Sequence, residues 1–468
     1  MGCVRYGLHT SIVSEKSLSL SMEHASGIAT SAVFGWSPLV VATVILIAAY
    51  FFIISEKINR AIVSLLGAGL LVLLGVLNFE LVIEGIDFNT IFLLTGMMVI
   101  VAITKDSGVF QFVAIYTAKA VKANPRKLLA ALAIVTAVFS ALLDNVTTVL
   151  LVVPVTLLLT DQLNLKAYPF LFSQIFASNI GGTATLIGDP PNILIGSAVG
   201  LGFMDFVEWV GPIALIILIF CLFFFDFIWG RKLTASEEDK EAMMKYNAFE
   251  AIEDKVLLVK SLFTLALVLA GFIWGHGQGW EPGTIALTGA AFLLLLHSFG
   301  GKPEEQSHHV HSAFQQVEWE TIFFFLGLFV LVSGVEQTGL LKIMAEKLLG
   351  LTGTNIELAG MIILGASAVL SAIVDNIPFV ATMIPLIKAM QADLGGPQAI
   401  EPLWWCLSLG ACLGGNGTLI GASANVMVAS FAERAGQRIS FMDFMKLAFP
   451  LMLFTTFLSA IFAYFVYF

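Results

Sequence analysis

Hydrophobic positions along this chain fall in long blocks separated by short polar joints. Blocks such as 209–229 and 451–468 approach or reach the ~20 residues that a helix needs to cross a bilayer. The blocks predict membrane helices over about 38–55, 88–104 and 207–229 of the first half, with a second helix leading to an acidic loop bearing Glu80, Glu84 and Asp87. The first 35 residues are mixed and polar and predict a tail. Basic residues orient the spans, because loops rich in Lys and Arg stay in the cytoplasm. Lys57 and Arg60 come after the first helix; Lys105, Lys119, Lys122, Arg126 and Lys127 come after the third; Arg231 and Lys232 come after the last. The stretch 128–160 must then start and end on the cytoplasmic side, which makes it a re-entrant hairpin. A broken helix over 169–200 crosses outward. Five crossings precede the polar stretch 230–255, so an odd count inverts the remainder of the chain.

The second half repeats the first. Ser-Ala-Leu-Leu-Asp-Asn-Val-Thr-Thr at 140–148, with Pro154 downstream, returns at 371 as Ser-Ala-Ile-Val-Asp-Asn-Ile-Pro, with Pro385 downstream. The run from Gly182 through Thr183, Thr185 and Gly188 to Asn192 returns from Gly415 through Asn416, Thr418 and Gly421 to Asn425. The expected organisation is a polar tail over 1–37, a first repeat over 38–229, a partly helical cytoplasmic linker over 230–255, and a second, inverted repeat over 256–468. The expected fold class is an all-α polytopic membrane protein with about five spans per repeat, each repeat carrying a hairpin and a broken helix.

Composition agrees. Apolar residues make up 58% of 468 positions and charged residues 12%, and the mean hydropathy is +0.93. The net charge of −10 comes with no basic stripe, which argues against a nucleic-acid partner. Four cysteines show no ligand spacing, and Cys221, Cys406 and Cys412 sit in apolar runs as packing residues. No Walker motif, catalytic dyad or zinc-protease signature is present, so neither ATP hydrolysis nor another enzyme activity is expected.

The chemistry concentrates where polar residues interrupt apolar blocks. A carboxylate in hydrocarbon costs about 2.5–3.5 kcal/mol on insertion scales, which makes Asp144 and Asp375 functional candidates. Burial disfavours the charged carboxylate and a bound cation favours it, so such a group can exchange a proton for a metal ion. Capping of a broken helix is the structural alternative for both residues, and the two roles can coexist. Breaks in helices at membrane depth release carbonyl oxygens that suit Na⁺. Asn145, Thr147, Thr148, Asn179, Gly182, Thr183, Thr185, Asn192, Asn376, Asn416, Thr418, Ser423 and Asn425 complete the candidate ion-binding set, with neutral oxygens for a hard cation. Na⁺ is expected at Asp144, Asn145, Thr148, Asp375, Asn376 and Thr418. Asp189 is a weaker candidate, because its repeat partner is Ala422 and it also reads as a turn former. Lys105 and its counterpart Glu336 fit helix ends, and Asp226 lies near the inner end of the last helix of the first half. His308, His309 and His311 read as a solvated run in a polar loop.

These segments, together with the stretch from Asn179 through Gly-Asp-Pro-Pro to Asn192, resemble the ion transporter superfamily. The likeness lies nearest to its ArsB/NhaD-type permeases and, within them, to the melanosomal P proteins and their bacterial relatives. It runs from about residue 40 to the C-terminus. It implies two cation sites flanking one substrate site, a homodimer in the lipid bilayer of a bacterial inner membrane, and no cofactor beyond a coupling Na⁺ or H⁺. The more distant dicarboxylate/sodium symporters carry Ser-Asn-Thr at each hairpin tip. Here Asp144 and Asp375 stand for that Ser, and the added negative charge favours a cation or proton over an anionic substrate. The expectation is a sodium/proton antiporter working by alternating access on a small ion. Arsenite or oxyanion efflux, sodium-coupled citrate or dicarboxylate transport, and an ion channel are the alternatives.

Overall fold

The computed structural model describes residues 35–55 and 57–468, so residues 1–34 of the expected tail, Cys3 included, lie outside the described residues. Among the described residues the elements are helices, with no strand. The first half runs α1 (Pro38–Ser55), α2 (Arg60–Leu73), α3 (Phe79–Gly85), α4 (Phe88–Lys105), α5 (Val109–Ala120), α6 (Pro125–Leu142), α7 (Asn145–Gln162), α8 (Tyr168–Thr183), α9 (Pro190–Val199), α10 (Phe203–Trp209) and α11 (Gly211–Ile228). The linker holds α12 (Glu237–Lys245) between short 3₁₀ turns. The second half runs α13 (Lys255–Gly275), α14 (Pro282–Ser298), α15 (Pro303–Gln315), α16 (Trp319–Gln337), α17 (Leu340–Thr352), α18 (Ile356–Ser371), α19 (Asn376–Met390), α20 (Glu401–Gly414), α21 (Ser423–Arg434) and α22 (Phe441–Val466). Eight helices among the described residues are long and apolar enough to cross a membrane, or up to ten if two bent pairs each count as one span.

The repeat is reproduced in the helix starts. Residues 319, 340, 356 and 376 open helices 231 positions after 88, 109, 125 and 145, and 401 and 423 do so 233 positions after 168 and 190. Short polar side chains set two of these matched pairs of starts. Asn124, Asp144, Asn355 and Asp375 each accept a hydrogen bond from a first-turn backbone N–H.

Two compact units form, and they cut across the repeats. The first comprises residues up to Ile86 and Phe323–Ala345. In it α1 packs on α2, and glycines let α2 and α16 approach closely. A Cβ added at Gly327 would lie 2.5 Å from the Ser64 backbone. The second unit comprises Asp87–Ile322 and Glu346–Phe468. There α4 packs along α14, and a Cβ at Gly96 would lie 2.5 Å from the Ala286 backbone. Gly96 and Gly327 are repeat mates, so in both units a helix of one half is notched onto a helix of the other.

The second unit also holds the interrupted segments. α6 packs on α8 and α18 on α20. A Cβ at Gly181 would stand 2.1 Å from the Ala137 carbonyl oxygen, and one at the repeat mate Gly414 would stand 2.5 Å from that of Ala368. Phe172, Phe176, Phe225 and Trp229 join α8 to α11 through edge and stacked ring contacts.

Several expectations change. The basic segment after Lys105 contains the apolar helix α5, which at 12 residues is too short to register as a span. The helix expected over 207–229 is α11, which starts at Gly211 after the separate short α10, and α9 and α10 meet at 114° where Gly200 takes a left-handed φ of +73°. His308, His309 and His311 lie on α15 rather than in a loop; the His309 ring stacks on His297 with centroids 4.1 Å apart.

Candidate ion-binding site

The first hairpin is made by α6 and α7, which pack against each other across the two-residue break at Leu143 and Asp144. Asp144 caps α7: one carboxylate oxygen accepts the Thr147 N–H at 2.7 Å and the other accepts the Thr147 hydroxyl. The second hairpin is α18 and α19. Asp375 accepts the Ile377 N–H at 3.1 Å and the Ser423 hydroxyl at 2.8 Å. Both carboxylates therefore cap their helices, the structural alternative for these two side chains.

Each hairpin is tied to the break of its own half by matching bonds. Ser140 donates to the Ser178 carbonyl at 2.6 Å and Ser371 to that of Ala411 at 2.7 Å. Thr185 donates to the Ala141 carbonyl at 2.6 Å and Thr418 to that of Ala372 at 2.5 Å. The similar spacing of tip and loop in the two halves thus has a direct counterpart in contacts. Within each break an asparagine gathers the loosened carbonyls. Asn192 Nδ2 donates to Gly182, Thr183 and Thr185 at 3.3, 3.0 and 2.9 Å. Asn425 Nδ2 donates to Gly415 and Thr418 at 2.7 and 2.9 Å. Asn192 and Asn425 are therefore clasps on the breaks, and Thr183 bonds back to the Asn179 carbonyl at 2.6 Å.

Between the halves the symmetry fails. Asn145 Nδ2 donates to Asn179 Oδ1 at 3.1 Å, and Asn179 Nδ2 donates onward to Asn416 Oδ1 at 3.1 Å and Asn425 Oδ1 at 3.0 Å. Asn376 Nδ2 reaches the carboxylate of Asp189 at 3.2 and 3.4 Å. The repeat mates of Asn179 and Asp189 are Cys412 and Ala422, which cannot reproduce these contacts. Both hairpin tips accordingly attach their asparagine to the first break. Asp189 is fully buried and makes no side-chain cap, so the turn reading understates it.

The donor set suits a hard cation. Asp144 is 8% exposed and Asp189 0%, and the described buried polar residues include no Lys, Arg or His. Asn145 Oδ1 and Thr148 Oγ1, one turn apart on α7 beside Asp144, are buried with no hydrogen-bond partner among the described residues, as is Asn416 Nδ2. Buried oxygens without a donor cost about 1–3 kcal/mol each, so these two are fitted to take a ligand.

Other candidates fall elsewhere. Lys105 ends α4 at the surface. Asp226 takes Arg126 through both oxygens, at 2.5 and 2.7 Å, a structural ion pair at a helix end. Ser408, whose hydroxyl donates to Asn192 Oδ1 at 2.6 Å, is not singled out by the sequence. Its repeat position holds Ile175, so the only signal is a hydroxyl in an apolar run.

Paired hairpins and paired helix breaks meeting on buried carboxylates and amides define a membrane transporter. The citrate transporter family matches residues 50–410. The chain is 43% identical over 411 residues to an uncharacterized transporter of Mycobacterium tuberculosis, covering 87% of this chain and 94% of that one. It is 40% identical over 411 residues to the 46 kDa membrane protein of Mycobacterium leprae, with the same coverage. The human P protein is 33% identical over 493 residues, a match that covers 88% of this chain and 58% of the P protein. Among solved structures, the Alcanivorax borkumensis YdaH transporter shares the fold, with a TM-score of 0.52 at 14% identity over 83% of this chain and 88% of that one. The chain belongs to the citrate transporter family, and it is a multi-pass membrane transporter rather than an enzyme.

Proposed function

We propose that this transporter exchanges a small monovalent cation, Na⁺ foremost, for protons by alternating access, as a homodimer in a bacterial inner membrane. The observation that carries the reading is the pair of unpartnered oxygens Asn145 Oδ1 and Thr148 Oγ1 beside Asp144, in a core whose described buried polar residues include carboxylates and no basic side chain. A cation gains ligands there that have no other donor, and a carboxylate it leaves can take up a proton in its place. Transport of a citrate-type anion is the second reading, favoured by the family match over residues 50–410. Such an anion meets the same carboxylates, so its charge must be offset by cations held at the site.

Inverted vesicles loaded with a pH-sensitive dye distinguish the two. Na⁺ or Li⁺ is expected to dissipate an imposed proton gradient without citrate; dissipation only when citrate is supplied would overturn the antiport reading. Asn145→Ala removes a candidate ligand, and Thr418→Val frees the second break from its hairpin. Both are expected to raise the apparent cation KM severalfold at normal expression and to shrink the gain in Tm given by saturating cation, because a ligand stabilises only the state that binds it.

A further inference from the structure

The first half carries a buried polar pair that the second half lacks. Gln174 on α8 and Thr156 on α7 are both 0% exposed. Gln174 Nε2 donates to Thr156 Oγ1 at 2.8 Å, and Gln174 Oε1 has no partner among the described residues. Turning the amide over moves the deficit to its N–H groups without removing it. Nearer the hairpin tip on the same face of α7, Thr148 Oγ1 is likewise buried and unpartnered. Thr160, one turn beyond Thr156, is also fully buried; its hydroxyl donates to the Leu157 carbonyl at 3.0 Å and its oxygen is left to accept. Thr156 and Thr160 lie one turn apart on one face, whereas Thr148 lies two turns from Thr156 with the apolar Val152 between them. At a rise of 1.5 Å per residue Thr160 lies about 6 Å from Thr156, within the reach of a bridging water, and Thr148 about 12 Å, beyond it.

The repeat positions of Thr148, Thr156 and Gln174 hold Phe379, Ile387 and Leu407, and Ile387 and Leu407 are fully buried. The same helix pair is therefore built dry in the second half, so the packing itself does not require a polar pair. An unsatisfied buried amide atom costs about 1–3 kcal/mol, and no described protein group compensates it. A water molecule both donates and accepts, and buried waters typically bridge atoms of this kind.

We propose that Gln174 and Thr156 hold a buried water and, with Thr160, form a short one-sided proton path at the end of α7 away from the hairpin tip. A proton enters the hydrogen-bonded chain at one end while another leaves at the other, so each hydroxyl and the water is regenerated and no group is oxidised or reduced. The path rests on the proton-coupled reading of the transporter, whereas the water site does not.

The full-length protein in lipid nanodiscs, imaged at a resolution that shows ordered water, tests the site directly. Density within hydrogen-bonding distance of Gln174 Oε1 is expected, and a dry contact there would overturn both site and path. The double variant Gln174→Leu/Thr156→Ile installs the residues of the second half. It is expected to melt at or above the wild-type Tm and to slow proton-coupled exchange at least about tenfold with an unchanged cation KM. Should it fail to insert, Gln174→Met, which keeps the volume and loses the amide, is read in the same way. Wild-type exchange in a folded variant overturns the path. A wild type that moves cations without protons overturns the antiport reading and the path with it, leaving the density to decide the water site.

Discussion

Asp144 shows how one side chain meets two demands. It satisfies the first-turn donors of α7 and stands beside the unpartnered oxygens of Asn145 and Thr148. Asparagine caps a helix about as well as aspartate, so Asp144→Asn and Asp375→Asn are expected to change stability by less than ~0.5 kcal/mol while abolishing exchange or flattening its pH dependence. Expression and vesicle exchange measured across pH check this; a double variant with the wild-type rate and profile would remove both carboxylates from the mechanism. At this scale the sequence is legible where chemistry repeats. The two Asp-Asn pairs stand out because the same pair interrupts an apolar block in each half. Asp189 does not stand out in that way, because its mate is Ala422 and its partner Asn376 lies 187 residues away. Gln174 and Ser408 escape notice for the same reason: a search for repeats passes over the residues that make the halves differ.

Among elements, the close pairs decide the geometry. The breaks sit against their hairpins because Gly181 and Gly414 leave no room for a side chain between them and a neighbouring carbonyl. Gly181→Ala would bring a methyl to 2.1 Å from the Ala137 oxygen, part of a backbone with no flexible end to yield. A loss of about 1–3 kcal/mol is expected, read as a lower Tm in purified protein. Gly69→Ala on α2, with nothing within 4 Å of the added carbon, is expected to leave Tm unchanged or raise it slightly. Equal losses from both would mean that glycine flexibility, not the close approach, matters at Gly181. Long apolar helices such as α1 and α4 are legible almost to the residue. α5 and α15 are not, since α5 is apolar but only 12 residues long and α15 is polar and histidine-bearing, so neither carries the signal that marks a span.

For the molecule as a whole, the helix starts follow the repeat in the sequence, while which helices pack together cannot be read from it. Repeat boundaries are set by sequence likeness, whereas compact units depend on packing, and the notched pairs take one helix from each half. The distribution of Lys and Arg predicts an inverted second half with the linker and the α15 region both in the cytoplasm. Cysteines placed at Glu238 and Ser307 in a cysteine-free background are expected to resist an impermeant thiol reagent in intact cells and to react after permeabilisation. Labelling of either from outside would show that the hairpin count is wrong.

The notch between Gly96 and the Ala286 backbone also bears on how the protein is made. The two positions are 190 residues apart, so α4 enters the bilayer long before the helix that fills its groove has been translated. Lipid tails must occupy that groove during synthesis and be expelled when α14 arrives. A nascent chain stalled in the linker would present an unfilled groove to the membrane proteases. Each half is thereby expected to depend on the other, and expression from a split gene is expected to succeed only when both fragments are inserted together.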